Sequence, residues 1–185
     1  MAMQRSSQNG NLRAIRGGFG LFLAAESVVF VTLIAARYLT AGGNIGPYSE
    51  WLGAVTTALI IASTLLARAG RSAVARGNNP AMQSRLKSGF WLGVAAVAAV
   101  LLQWILLAQQ AVPVTLPTAE VYYVLTGIWM AFAIVAGFGL YAAPVRGRRI
   151  GGYTVDNHWD VDASTYFWMF TCFGWIVLYV VLYIL

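Results

Sequence analysis

The residues able to do chemistry are few, and most sit where a charge or a polar group is costly. Glu26 lies within GFGLFLAAESVVFVTLIAARY, residues 18–38, a run otherwise almost wholly apolar up to Arg37. A lone carboxylate in hydrocarbon costs on the order of 3 kcal/mol or more, so Glu26 is expected to face protein and not lipid. At 1.5 Å per residue it sits about 12 Å into its span. Two readings stay open: a carboxylate linked to proton uptake or to lipid headgroups, and a neutral side chain hydrogen-bonded to a neighbouring helix. Gln103 is the other strongly polar residue deep in an apolar run. A buried amide bridges helices for about 1 kcal/mol, and Thr56, Thr57, Ser63 and Thr64 can do the same. Helix packing is the role expected for all of them. The stretch TVDNHWDVDAS carries Asp156, His158, Asp160 and Asp162. Its spacing is not that of an EF-hand, and the glycine that bends that loop is missing. A solvated loop is expected, with Asp162 as a cap or first-turn carboxylate of the helix that follows.

No nucleophile–base pair, phosphate-binding glycine loop or dinucleotide fingerprint is present. A single cysteine, Cys172, excludes an internal disulfide framework and a CxxC site. A single histidine, His158, excludes a haem held by two histidines of this chain. No residue is assigned to catalysis, to a cofactor or to a metal.

The elements that must position these residues are membrane helices. Hydrophobic residues make up 59% and charged residues 10% of the 185, and the mean hydropathy is +0.70. A soluble chain carries roughly a quarter charged residues, so this composition cannot cover a surface in water. Five apolar segments, about 18–40, 51–69, 89–110, 119–143 and 163–185, approach the roughly 20 residues that span a bilayer. Backbone groups in lipid must be satisfied internally, and no segment alternates as a barrel strand does, so all five are expected to be helices. AGGNIGPYSE and AVPVTLPT read as short turns, whereas the other two connections read as longer basic loops. Residues 1–17 form a basic tail, and 18–185 a single transmembrane domain.

Eleven of the twelve Lys and Arg fall on the side of the N-terminus and the two basic loops, which the positive-inside rule assigns to the cytoplasm. The C-terminus is then outside. Arg37 alone lies at the other side, where its stem can snorkel. The net charge of +6 reflects these loops and not nucleic-acid binding. Arg68, Arg71 and Arg76 are expected to attract anionic lipid headgroups. Gly89 and Gly93 in the third segment, and Gly137 and Gly139 in the fourth, offer surfaces for close packing. Of the tryptophans and tyrosines, Trp51, Trp91, Trp104, Trp129 and Tyr141 include several placed as interface anchors, and Trp175 is deeper.

Three stretches together resemble subunit III of the haem–copper oxidases. The first segment is similar to the family's W-L-F-L-x-S-E-x-x-F-F helix, with Glu26 on the membrane glutamate. TTALIIASTLLARAGR followed by WLGVAAVAAVLLQ resembles the family's next helix pair and places Gln103 on its glutamine. FWMFTCFGWIVLYVVLYIL is similar to Y-W-H-F-V-D-x-V-W, with Trp168 and Trp175 on the two tryptophans and Asp162 where a glutamate usually precedes the helix. LTGIWMAFAIV keeps Thr126 and Gly127 of the family's L-T-G-x-H-x-x-H, but Trp129 and its neighbours replace the histidines. Met169 stands for the family's His and Cys172 for its Asp. From these changes a polar contact in the last helix is expected to have become apolar.

The resemblance implies the short five-helix bacterial form of that family. It implies a bundle of two plus three helices around a V-shaped, lipid-holding cleft, in the bacterial plasma (inner) membrane. The implied role is a non-catalytic subunit that stabilises the catalytic subunit I, in complex with subunit II, and its proton uptake. Haem and copper belong to that partner, and phospholipid to this chain. Two alternatives stand beside it: an accessory subunit of a nitric oxide reductase, and a small independent proton-coupled transporter using Glu26.

Overall fold

A computed structural model describes the backbone from residue 2 and the side chains from Arg13 to Leu185. Most of the expected basic tail, Arg5 included, lies outside the described side chains. Five helices follow one another: α1 (Ala2–Thr40), α2 (Glu50–Ala75), α3 (Asn79–Gln109), α4 (Pro117–Arg149) and α5 (Trp159–Tyr179), the last continued by a π-helical segment, Val180–Ile184. Each is long and apolar enough to cross a membrane. The chain is an all-α, multi-pass membrane protein.

The helices overrun the apolar segments. α2 continues six residues past position 69, α3 begins ten residues before position 89, and α4 carries Arg146, Arg148 and Arg149 in its last turn. The expected long basic loops therefore shrink to residues 76–78 and 150–158. Hydropathy marks where lipid ends, whereas capping decides where a helix ends. After α2, Gly77 takes a left-handed φ of 76°. Its N–H reaches the Val74 carbonyl at 2.9 Å, and that of Asn78 reaches Ala73 at 2.9 Å, which satisfies two orphan carbonyls. The Asn78 side chain then accepts the Ala81 N–H at 3.0 Å, and Pro80 occupies the first turn of α3.

Helices α2 and α3 form the tightest pair, α3 packs on α4, α4 on α5, and α5 returns to α2. This four-helix bundle replaces the expected partition into two and three. The first helix does not pair with the second; it lies outside, against α4 and α5. Glycines explain the difference. A Cβ at Gly89 would stand 3.0 Å from the Ser63 carbonyl oxygen, and one at Gly70 would stand 3.1 Å from Leu86. Close backbone approach supplies the van der Waals contact that drives helix association in lipid. α1 is the least buried of the five helices, with Leu21, Val28, Val31 and Leu39 turned outward.

The two ends of the bundle differ. At one end Asn79 and the Tyr153 backbone exchange two hydrogen bonds of 2.9 and 3.0 Å, and Arg148 donates to Gln83 at 2.9 Å. At the other, Arg37 does not snorkel. It is 2% exposed and donates to the Gly42 carbonyl at 3.0 Å, because the turn that follows α1 leaves carbonyls that need donors. Tyr48 stacks on Tyr122 at 4.3 Å and donates its hydroxyl to the Thr118 carbonyl. Burial pushes the Tyr48 hydroxyl up to about 12, so it remains a donor at any physiological pH.

Candidate functional site

Two of the polar residues inside the spans, Ser63 and Thr57, form a line between α2 and α5. Trp168 Nε1 donates to Ser63 Oγ at 2.9 Å, and Ser63 in turn donates to the Gly89 carbonyl at 2.5 Å, tying three helices together. Two turns on, Trp175 Nε1 donates to Thr57 Oγ1 at 2.9 Å, and Thr57 donates to the Gly53 carbonyl at 2.8 Å. The spacing of seven between the two tryptophans keeps both indoles on the α2 face of α5. Trp168 fits only because Gly93 lacks a side chain, and Gly137 lies beside the same ring.

Trp129 is not an interface anchor. It is fully buried, 4.5 Å from the Trp175 ring, and donates to the Thr171 carbonyl at 3.0 Å. The contact between α4 and α5, expected to be apolar, therefore keeps a hydrogen bond that the indole supplies. Cys172 is buried and Met169 half-buried. Thr126 accepts Trp104 Nε1 at 2.9 Å, with Gly127 beneath the same indole.

Gln103 is 2% exposed, and its Oε1 accepts the Ser49 N–H at 3.1 Å. Ser49 makes no side-chain cap of its own, so an amide of α3 serves a free donor at the start of α2. Gln103→Leu keeps the shape but strands that N–H. A loss of about 1 kcal/mol is expected in detergent unfolding, with amide exchange at Ser49 accelerated. Unchanged exchange there would show that the bond is idle.

The stretch from Thr154 to Ser164 is less solvated than expected. Asp156 is exposed, but Asp160 pairs with Arg146 at 2.9 Å, and Asp162 is buried. Asp162 sits in the first turn of α5, after His158 at the cap position, and accepts Arg71 Nε at 2.7 Å. Arg71 is therefore committed to a carboxylate and is not a free headgroup ligand. Arg68 and Arg76 are exposed, the latter donating to Ser72 at 2.7 Å. Nearby, burial and then the Asp160 charge push the Tyr153 hydroxyl up to about 12.

Glu26 is half-buried. Helical spacing places it on the stripe of Phe19, Leu23 and Phe30, whose phenyl rings reach Trp159 at 5.9 Å and Phe170 at 5.9 Å on α5. None of the ion pairs formed among the described residues involves it. The fold does not bring Glu26 to Gln103 or to the Ser63 and Thr57 line. Among the described residues no three His, Cys, Asp or Glu side chains gather as metal ligands would. Sequence reasoning missed Arg16, Trp159 and Tyr166, which flank the junction of α1 and α5; an arginine just ahead of a span was the available signal. No protein-family model and no curated protein matches the chain.

Proposed function

We propose that the protein is a non-catalytic subunit of a haem–copper terminal oxidase, of the cytochrome c oxidase type, in a bacterial plasma membrane. It stabilises the catalytic subunit and its proton-uptake surface and holds lipids. The observation that carries this reading is α1. A spanning helix with a half-buried, unpaired carboxylate and an apolar outer face leans on the side of a bundle closed without it. Such a helix is available to a second membrane protein, and the resemblance of its sequence names the class of partner. Further support is that Gln103, Trp168 and Trp175, which carry the resemblance elsewhere, are interhelix contacts here. The arginine bias supports a cytoplasmic N-terminus and an outer C-terminus. Haem and copper belong to the partner.

Purification in mild detergent through a tag on this chain tests the reading. A large partner with haem and copper, seen in the reduced-minus-oxidised spectrum and by metal analysis, is expected. Haem with non-haem iron and no copper would replace the oxidase by a nitric oxide reductase. A colourless chain, stable alone, would overturn the subunit reading and turn attention to proton flux.

A further inference from the structure

Between α1 and α5, at the arginine-rich end, lies an open crevice of about 630 Å³. Its mouth holds Arg16, whose guanidinium lies 5.3 Å over the Trp159 ring, and Arg71, 4.6 Å over Tyr166. Asp162 cancels the charge of Arg71. No carboxylate among the described residues pairs with Arg16, so the mouth keeps one uncompensated positive charge. Below it the walls are apolar: Leu23 on one side, Met169, Phe170 and Phe173 on the other. Phe173 is 66% exposed at the open side, which faces hydrocarbon. Gly20 leaves the α1 wall bare, since a Cβ there would meet nothing within 4 Å.

We propose that this crevice holds one anionic phospholipid, its phosphate on Arg16 and one acyl chain along Leu23, Met169 and Phe173. The proposal rests on the lipid-holding part of the function above and on none of its oxidase part. A cation at the mouth and apolar walls below match an anionic headgroup with a chain beneath it, whereas a water-soluble anion gains nothing from the walls. Trp159 and Tyr166 belong at headgroup depth, and their faces hold the guanidiniums in place. The lipid completes the seat of α1, which few protein contacts hold.

The test uses the full chain, stripped of lipid in neutral detergent. Native mass spectrometry reads its binding of phosphatidylglycerol, of phosphatidylcholine and of deacylated glycerophosphoglycerol. One phosphatidylglycerol is expected to bind in preference to the other two. Arg16→Gln weakens it about fivefold, the worth of one arginine at a membrane surface. Gly20→Leu fills the bare wall without touching charge and weakens it comparably, while the double variant Arg68→Gln/Arg149→Gln has a smaller effect. Equal binding of phosphatidylcholine would overturn the proposal. So would an inert Gly20→Leu together with a large effect of the Arg68/Arg149 variant, since surface charge alone would then attract the lipid. Binding of the deacylated headgroup as tightly as the lipid would mark a free-phosphate site instead. None of these outcomes depends on whether a haem partner co-purifies.

Discussion

Trp168→Ala is expected to destabilise the protein by about 3 kcal/mol, and Gly93→Ala, on the neighbouring helix, by about 1–3 kcal/mol. The indole of Trp168 is 1% exposed. Its removal leaves a void among α2, α3, α4 and α5 and takes away the donor to the Ser63 hydroxyl, which keeps only its own bond to the Gly89 carbonyl. The value sits at the low end for a buried tryptophan because lipid is as apolar as the core, so packing and not expulsion of water is lost. Gly93→Ala fails for the opposite reason. The new methyl would stand 2.5 Å from the Trp168 ring, whose nitrogen Ser63 holds at 2.9 Å, so the indole can yield only by giving up that bond. Alanine's helix propensity gains about 1 kcal/mol over glycine, and the clash outweighs it. Together the two substitutions are expected to cost less than their sum by about 1 kcal/mol or more, since the methyl enters the void. Unfolding of the four species in mixed micelles measures the cycle. Strict additivity would show that Gly93 does not serve to seat the indole.

The five spans were legible because each is a continuous apolar run near bilayer length, and Pro113, Pro117 and Gly46–Pro47 punctuate the two short turns. The helix ends were not. Arg85, Lys87 and Arg146 look like loop residues by charge, yet the Asn78 cap starts α3 ahead of the first two, and α4 runs on past Arg146 until Gly151 takes a left-handed φ of 77°. The arrangement of the helices was hidden for another reason. Gly53, Gly70, Gly89, Gly93 and Gly137 advertise close approach but not its partner, and membrane helices are rich in glycine anyway. Only the structure shows that Gly89 meets the Ser63 backbone and that α1, which sets the Phe30 ring against Gly174 of α5 but approaches no helix backbone through a glycine of its own, stays outside.

The site residues divide along the same line. Gln103, Thr57 and Ser63 stood out as polar groups in apolar runs, and that alone marks them as hydrogen-bonding positions. Their partners lie far along the chain: Ser63 and Trp168 are 105 residues apart, Thr57 and Trp175 118. Such pairs depend on the register of antiparallel helices, which no local pattern encodes. Trp129 stood among aromatics of which several read as anchors, and nothing local separated it from them, since its burial follows from contact with Trp175. Arg71 misled because its partner Asp162 is 91 residues distant.

That ion pair yields the second large effect, and the two halves of the pair are expected to behave differently. Arg71→Ala leaves the Asp162 carboxylate at 7% exposure. The nearest other cationic group is His158, whose Nε2 lies 3.7 Å away and whose charge requires protonation. An uncompensated buried charge costs about 3–5 kcal/mol; screening through the exposed side of the pair brings the expected loss to about 2–3 kcal/mol. Asp162→Ala leaves the opposite fragment. Arg71 is 40% exposed and already lies over the Tyr166 ring at 4.6 Å, so its guanidinium can turn to water or to a lipid phosphate. A loss of about 1 kcal/mol is expected there. Arg71→Ala/Asp162→Ala then resembles Asp162→Ala and not Arg71→Ala, because the penalty lies in the stranded carboxylate and not in the lost attraction. A second removal that restores stability is a result no sum of favourable contacts can produce. Equal losses from the two single variants, with a double that adds them, would mean that Asp162 finds water without Arg71 and that the pair is a surface contact.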